Sequence, residues 1–125
     1  MTRLLLVEDN PDNADLVLAL LEDEYEMHVC SSAQDALDYI DSTRHDLPKL
    51  LLLDISLPGM DGVELLRHLR GDPDTGHLPA IALTAHAMKD DRNRLLAAGF
   101  DEYVSKPVDE TTLVATIEGL LDGNV

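Results

Sequence analysis

Leu50-Leu51-Leu52-Leu53-Asp54-Ile55-Ser56-Leu57-Pro58-Gly59-Met60-Asp61-Gly62 decides the fold. Four consecutive leucines suit either a helix or a strand. The brevity of the run and the Pro-Gly that follows favour a strand buried on both faces, as in a parallel sheet. Residues 57–62 read as a loop from their turn chemistry. Downstream, Val63 to Arg70 is expected to form a short helix, stopped by Gly71-Asp72-Pro73. Pro79 to Thr84 reads as a strand, and Met88 to Ala98 as a helix with Gly99 at the C′ position. Asp101 to Ser105 is a short strand ending at Lys106-Pro107. Thr111 to Leu121 closes the chain as a helix with Leu113, Ile117, Leu120 and Leu121 inward.

Upstream, Arg3 to Val7 reads as a buried strand ending in Glu8-Asp9-Asn10-Pro11. Asn10 suits a helix N-cap and Pro11 the first helical position. Ala14, Val17, Leu18 and Leu21 then recur at helical spacing. Tyr25 to Cys30 alternates like a strand nearer the sheet edge, and Ser32 opens a second helix with the stripe Ala33, Ala36, Leu37 and Ile40. Five strands alternate with five helices, which implies an α/β fold of parallel strands joined by right-handed crossovers.

The 125 residues suit one domain, 1–125, with a core that needs no staples. Twenty-five acidic residues against nine Lys and Arg give a formal charge of −16. Such a surface repels nucleic acid and anionic membranes, so neither is an expected partner. The lone cysteine, Cys30, excludes an internal disulfide and fits a reducing cytosol, so a cytoplasmic location is expected. Cys30 reads as a buried small hydrophobe and Met27, Met60 and Met88 as gap fillers. Tyr25, Tyr39 and Phe100 read as packing residues. His28, His45, His68 and His77 lack metal-ligand spacing and read as surface residues.

Polar residues gather where the strands end: Glu8 and Asp9 after the first, Asp54 on the third, Thr84 on the fourth, Lys106 after the fifth. The crevice at the carboxyl ends of a parallel sheet is the usual site of such a fold. Each signal alone reads as a solvated loop acid, a cap or an ordinary turn. Their joint placement at the strand ends is harder to reach by accident. Converging carboxylates repel unless a cation neutralises them. An all-oxygen set with open positions suits Mg²⁺, which takes phosphate as a co-ligand. Lys106 can hold a phosphoryl oxygen and Thr84 can donate to another.

Taken together, Leu-Leu-Val-Glu-Asp-Asn-Pro at 5–11, Leu-Asp-Ile-Ser-Leu-Pro-Gly-Met-Asp-Gly at 53–62, Ala-Leu-Thr-Ala-His-Ala-Met at 82–88 and Ser-Lys-Pro at 105–107 resemble the receiver domain of two-component response regulators. The resemblance covers essentially the whole chain. The segments at 5–11 and 82–88 look most like single-domain regulators of the cell-division and chemotaxis type and receivers of hybrid histidine kinases. It implies a flavodoxin-like fold with strand order 2-1-3-4-5 and helices on both faces. It implies that Asp54 accepts a phosphoryl group from a phosphohistidine. Asp9, Asp54 and the backbone carbonyl of Ser56 would bind Mg²⁺ or Mn²⁺ directly, and Glu8 through a water. Thr84 and Lys106 would hold the phosphoryl group, Thr84 and Tyr103 would form the switch, and Lys106-Pro107 would be cis. Ser56 and His86 would flank the attacking water and tune the lifetime of the signal.

The implied partners are a histidine kinase or histidine phosphotransfer protein, and a downstream protein bound by the face of the fourth helix, fifth strand and fifth helix. Kinase choice is expected near Ala14 to Leu18 and Pro107 to Asp109. The chain is expected to be a signalling phosphoacceptor rather than an enzyme, assisting its own phosphorylation and dephosphorylation. A stand-alone regulator is expected, mildly favoured by Met1 directly before the first strand. A receiver cut from a hybrid kinase and a phosphate-independent interaction module are the alternatives. A haloacid dehalogenase-type phosphatase needs a second Asp where Ser56 stands, and a flavodoxin needs a phosphate loop where Glu8 and Asp9 would repel one.

Overall fold

The computed structural model describes residues 1–85 and 89–122. The elements are β1 (Arg3–Val7), α1 (Pro11–Leu21), β2 (Glu26–Cys30), α2 (Ala33–Ser42), β3 (Leu50–Asp54), α3 (Gly62–Arg70), β4 (Ala80–Thr84), α4 (Lys89–Ala98), β5 (Glu102–Ser105) and α5 (Glu110–Leu121). All four strand pairings are parallel, in the order β2-β1-β3-β4-β5. The four leucines form the central strand, with every residue of β3 buried.

The sheet separates two apolar layers. Leu5, Val7, Leu51 and Leu53 face one, with Ala36 and Ile40 of α2, Leu65, Leu66 and Leu69 of α3, and Leu95 of α4. Leu4, Leu6, Leu50 and Leu52 face the other, with Val17 and Leu21 of α1 and Leu113 and Ile117 of α5. Alternating side chains of one leucine-rich strand thus feed both layers, which is why no polar residue interrupts it.

Asn10 caps α1, accepting from the N–H groups of Asp12 and Asn13 at 2.9 and 3.2 Å. Ser32 caps α2 through the Asp35 N–H at 3.1 Å. Gly99 adopts φ +114°, the left-handed conformation expected at a helix C′ position. Several ends differ from the expected ones by a residue. Asp61 accepts from the Glu64 N–H at 2.9 Å, so α3 begins at Gly62 rather than Val63. Asp109 caps α5 in the same way, so that helix begins at Glu110 rather than Thr111. Asp101 lies just before β5, with its carboxylate accepting from the Ala80 N–H at 2.8 Å and from Arg70 at 3.2 Å. Tyr25 and Pro79 likewise lie just outside β2 and β4. Met88, expected to open α4, lies outside the described residues.

His28 corrects the reading of a surface residue. It is half-buried and stacks on Tyr39 of α2, with ring centroids 3.7 Å apart and planes 11° from parallel. Burial, and then the charge of Arg3, hold its pKa below the ordinary value. Cys30 is buried, and burial pushes its thiol up to about 11. No helix among the described residues is long and apolar enough to cross a membrane.

Candidate functional site

The site is assembled where β1, β3, β4 and β5 end. Beyond β1 the chain stays extended for one more residue, and the Glu8 N–H donates to Cys30 O at 3.0 Å. The strand alternation therefore carries Glu8 inward, where it is 2% exposed, and turns Asp9 out to solvent. Asp54, the last residue of β3, is also 2% exposed. Carboxylate oxygens of Glu8, Asp9 and Asp54 lie within 4.8 Å of one another.

Lys106 reaches into this cluster. Its Nζ is 2.8 Å from Glu8 Oε1 and 3.1 Å from Asp54 Oδ2. Its own N–H donates to Thr84 O at 2.7 Å, so the end of β4 positions the lysine backbone. Thr84 itself is buried, and the Lys106–Pro107 peptide is cis. The other Asp54 oxygen, Oδ1, accepts from the Ser56 N–H at 2.9 Å. Asn10 donates its N–H to Glu8 Oε2 at 3.3 Å. Tyr103 on β5 is half-buried against the α2–α3 layer. Ser56 is exposed, and His86 lies outside the described residues.

The electrostatics follow from burial opposed by contacts. Burial, and then the neighbouring Asp54, raise the Glu8 pKa to about 7, against the pull of Lys106. Burial also pushes Asp54 up, but hydrogen bonding with Glu8, the Ser56 N–H and Lys106 outweighs it and holds that carboxyl below the usual range. Burial disfavours the Lys106 ammonium, yet the two carboxylates raise it. One ammonium thus serves a cluster of three carboxyl groups, pairing with Glu8 and Asp54. This set is short of positive charge and made of hard oxygen donors, with Asp9 on the open side, which suits a small divalent cation such as Mg²⁺.

Gly62 was not anticipated. A Cβ there would strike the Asp54 carbonyl oxygen and lie 2.9 Å from Ile55 Cα. The loop after β3 thus closes onto the strand end at this residue. A glycine directly after an N-capping aspartate was the signal for it. Arg70 was also missed. From the end of α3 it donates to Gly99 O at 2.8 Å and Leu78 O at 2.6 Å, and pairs with Asp101 at 3.2 Å. It brackets the N-terminal ends of β4 and β5, at the end of the strands opposite the site.

A family model described as "Response regulator receiver domain" matches residues 4–118. The chain is 38% identical over 119 residues to the polar-differentiation response regulator DivK of Brucella ovis, covering 94% of both proteins. It is 36% identical over 118 residues to the response regulator PleD of Caulobacter vibrioides, covering 94% of this chain but 26% of PleD. Among solved structures, the receiver domain of the sensor histidine kinase PA1611 from Pseudomonas aeruginosa superposes with a TM-score of 0.83 at 30% identity, covering 97% and 98% of the two chains. That structure has a magnesium ion coordinated in its active-site cleft.

Proposed function

The chain belongs to the response regulator receiver domain family, and from that premise we propose that it takes a phosphoryl group from a phosphohistidine onto Asp54 and relays the event through a change of its α4–β5–α5 face. Receiver domains are signalling phosphoacceptors that work with histidine kinases or phosphotransfer proteins and with downstream targets. The observation that carries the reading is the meeting of Glu8, Asp9 and Asp54 within 4.8 Å beside the Lys106 ammonium.

An Asp54 carboxylate oxygen attacks phosphorus, the P–N bond breaks, and its electron pair stays on the leaving imidazole. The Ser56 N–H and Lys106 hold the two oxygens of Asp54 and keep the carboxylate ionised, which readies it as the nucleophile. Bound by Asp9, Asp54 and the Ser56 carbonyl, with Glu8 acting through a water, Mg²⁺ would offset the charge that gathers on the phosphoryl oxygens. Lys106 supplies further positive charge to a phosphoryl oxygen, and Thr84 supplies a hydroxyl.

Phosphorylation adds negative charge at one point of a buried site. Thr84 moves toward the new oxygens, and Tyr103 turns into the space it leaves. This biases a two-state face. The product is an acyl phosphate open to water, so the signal decays, with Ser56 and His86 setting the rate. Kinase choice falls to the exposed positions of α1, among them Asp12, Asp15 and Leu16, because Ala14 and Val17 are occupied in the core.

The test is intact mass after incubation with a small-molecule phosphodonor, with and without Mg²⁺, beside Asp54→Asn. A single phosphoryl adduct in the wild type with Mg²⁺ alone is expected. No adduct under any condition overturns the reading and leaves a phosphate-independent interaction module.

A further inference from the structure

We propose that the outer edge of β2 takes an extended, basic segment of a partner protein as a sixth strand. The two edges of the sheet are unlike. β5 has four residues and runs directly into Lys106-Pro107. β2 has five and contains neither the lysine nor the proline that commonly blunts an edge. In a parallel ladder, the N–H and C=O of one residue point to the same side. Glu26 donates to Thr2 O and Cys30 accepts from Glu8, so residues 26, 28 and 30 turn inward to β1. The main-chain groups of Met27 and Val29 therefore face outward, where the sheet has no further strand among the described residues.

A groove flanks this edge on each face of the sheet. On the α1 side, one of about 470 Å³ is lined by Met1, Leu18, Tyr25 and Met27, with Glu22 and Glu26 at its rim. On the α2 side, one of about 490 Å³ is lined by the His28–Tyr39 stack with Asp35 and Asp38. Among the described residues neither groove is lined by Lys or Arg, and all four carboxylates are exposed, Glu26 while paired with Arg3 at 3.6 Å. An added strand sends alternate side chains to opposite faces, so each groove receives every second one. Main-chain bonding supplies the affinity, and the carboxylates select lysine or arginine at those positions. A second copy of this chain would set the same four carboxylates against themselves in a protein of charge −16, which disfavours self-pairing.

The probe is the capped ten-residue peptide Lys-Lys-Val-Val-Lys-Lys-Val-Val-Lys-Lys, which sends lysine to both faces, beside its counterpart with glutamate for lysine, added to the ¹⁵N-labelled full chain. With the lysine peptide, the Met27 and Val29 amides are expected to exchange about tenfold more slowly or better, while His28 is unchanged. The Val29→Pro variant removes one outward N–H without touching the β1 ladder and abolishes that binding, with its fold checked by the amide spectrum. Should that variant unfold, Glu22→Gln, Glu26→Gln, Asp35→Asn and Asp38→Asn combined are expected to weaken binding at least about tenfold at low salt. Binding without protection of the two amides, equal binding of the glutamate peptide, or a dimer by light scattering at the same edge overturns the proposal. Asp54 is not involved, so the outcome is independent of the phosphoryl chemistry.

Discussion

Lys106 Nζ stands closer to Glu8 Oε1, at 2.8 Å, than to Asp54 Oδ2, at 3.1 Å. The lysine spans both buried carboxylates and holds the strand ends of β1 and β3 against the turn after β5. Lys106→Met leaves two buried acids without their cation. In metal-free buffer it is expected to cost about 2 kcal/mol by urea unfolding. Adding Glu8→Gln to that variant recovers about 1 kcal/mol, since the two residues act as a unit. Strictly additive losses would show that the pair is not coupled.

Gly62 tests how tightly the loop after β3 must close. Gly62→Ala drives a methyl group against the Asp54 carbonyl and is expected to destabilise the protein by about 1–3 kcal/mol. Under the proposed function it is also expected to slow phosphoryl uptake, because it displaces the Asp54 end of β3. Asp61→Ala, which loses the adjoining cap without adding bulk, is expected to cost about 1 kcal/mol. Unfolding midpoints and time-resolved intact mass separate the two.

Arg70 ties the end of α3 to the turn before β4 and to the turn before β5. Arg70→Met is expected to cost about 2–3 kcal/mol, because the carbonyls of Leu78 and Gly99 lose a charged donor. Arg70→Lys restores less than half of this, since an ammonium cannot span the same fork. Hydrogen exchange at Ala80, whose N–H is held by the Arg70 partner Asp101, reports the loss directly.

His28 gives stability a dependence on pH with a definite sign. Its folded value lies below the ordinary 6.5, so the unfolded chain takes the proton more readily. The contribution is whole above about 6.5 and is lost as pH falls from there through the folded value. His28→Phe keeps a ring on Tyr39 without the charge. The gap between variant and wild type is expected to widen in favour of the variant from about pH 7.5 to about pH 5. A constant gap across that range would remove the effect.

Much of the fold was legible from the leucines, the turn residues and the caps. A four-residue apolar run followed by Pro-Gly has room for a strand and not for a helix, and Asn10-Pro11 marks a helix start on its own. The meeting of Glu8, Asp9, Asp54 and Lys106 was legible for the same reason, since strand ends in a parallel sheet converge. The depth of each group was not. Glu8 and Asp9 are chemically alike and adjacent, yet one is buried and the other exposed, because a single extended residue past β1 decides which way each turns. The inward reach of Lys106 depends on the Thr84 carbonyl, which no local pattern reveals. Arg70 looked like an ordinary basic residue at a helix end, because its acceptors lie up to 31 residues away.

The leucine run at the centre has a further effect on alignment. In the observed register Leu4, Leu5, Leu6 and Val7 stand beside Leu50, Leu51, Leu52 and Leu53. Sliding β3 by one place would still set leucine beside leucine along most of the pair, so hydrocarbon cannot tell the right frame from the wrong one. The slide would, however, put Val7 beside Asp54 and turn that carboxylate to the opposite side of the sheet. Asp54, held by Lys106 at 3.1 Å, therefore acts as an index mark for strand pairing. Replacing it with an apolar residue to gain stability would erase the mark.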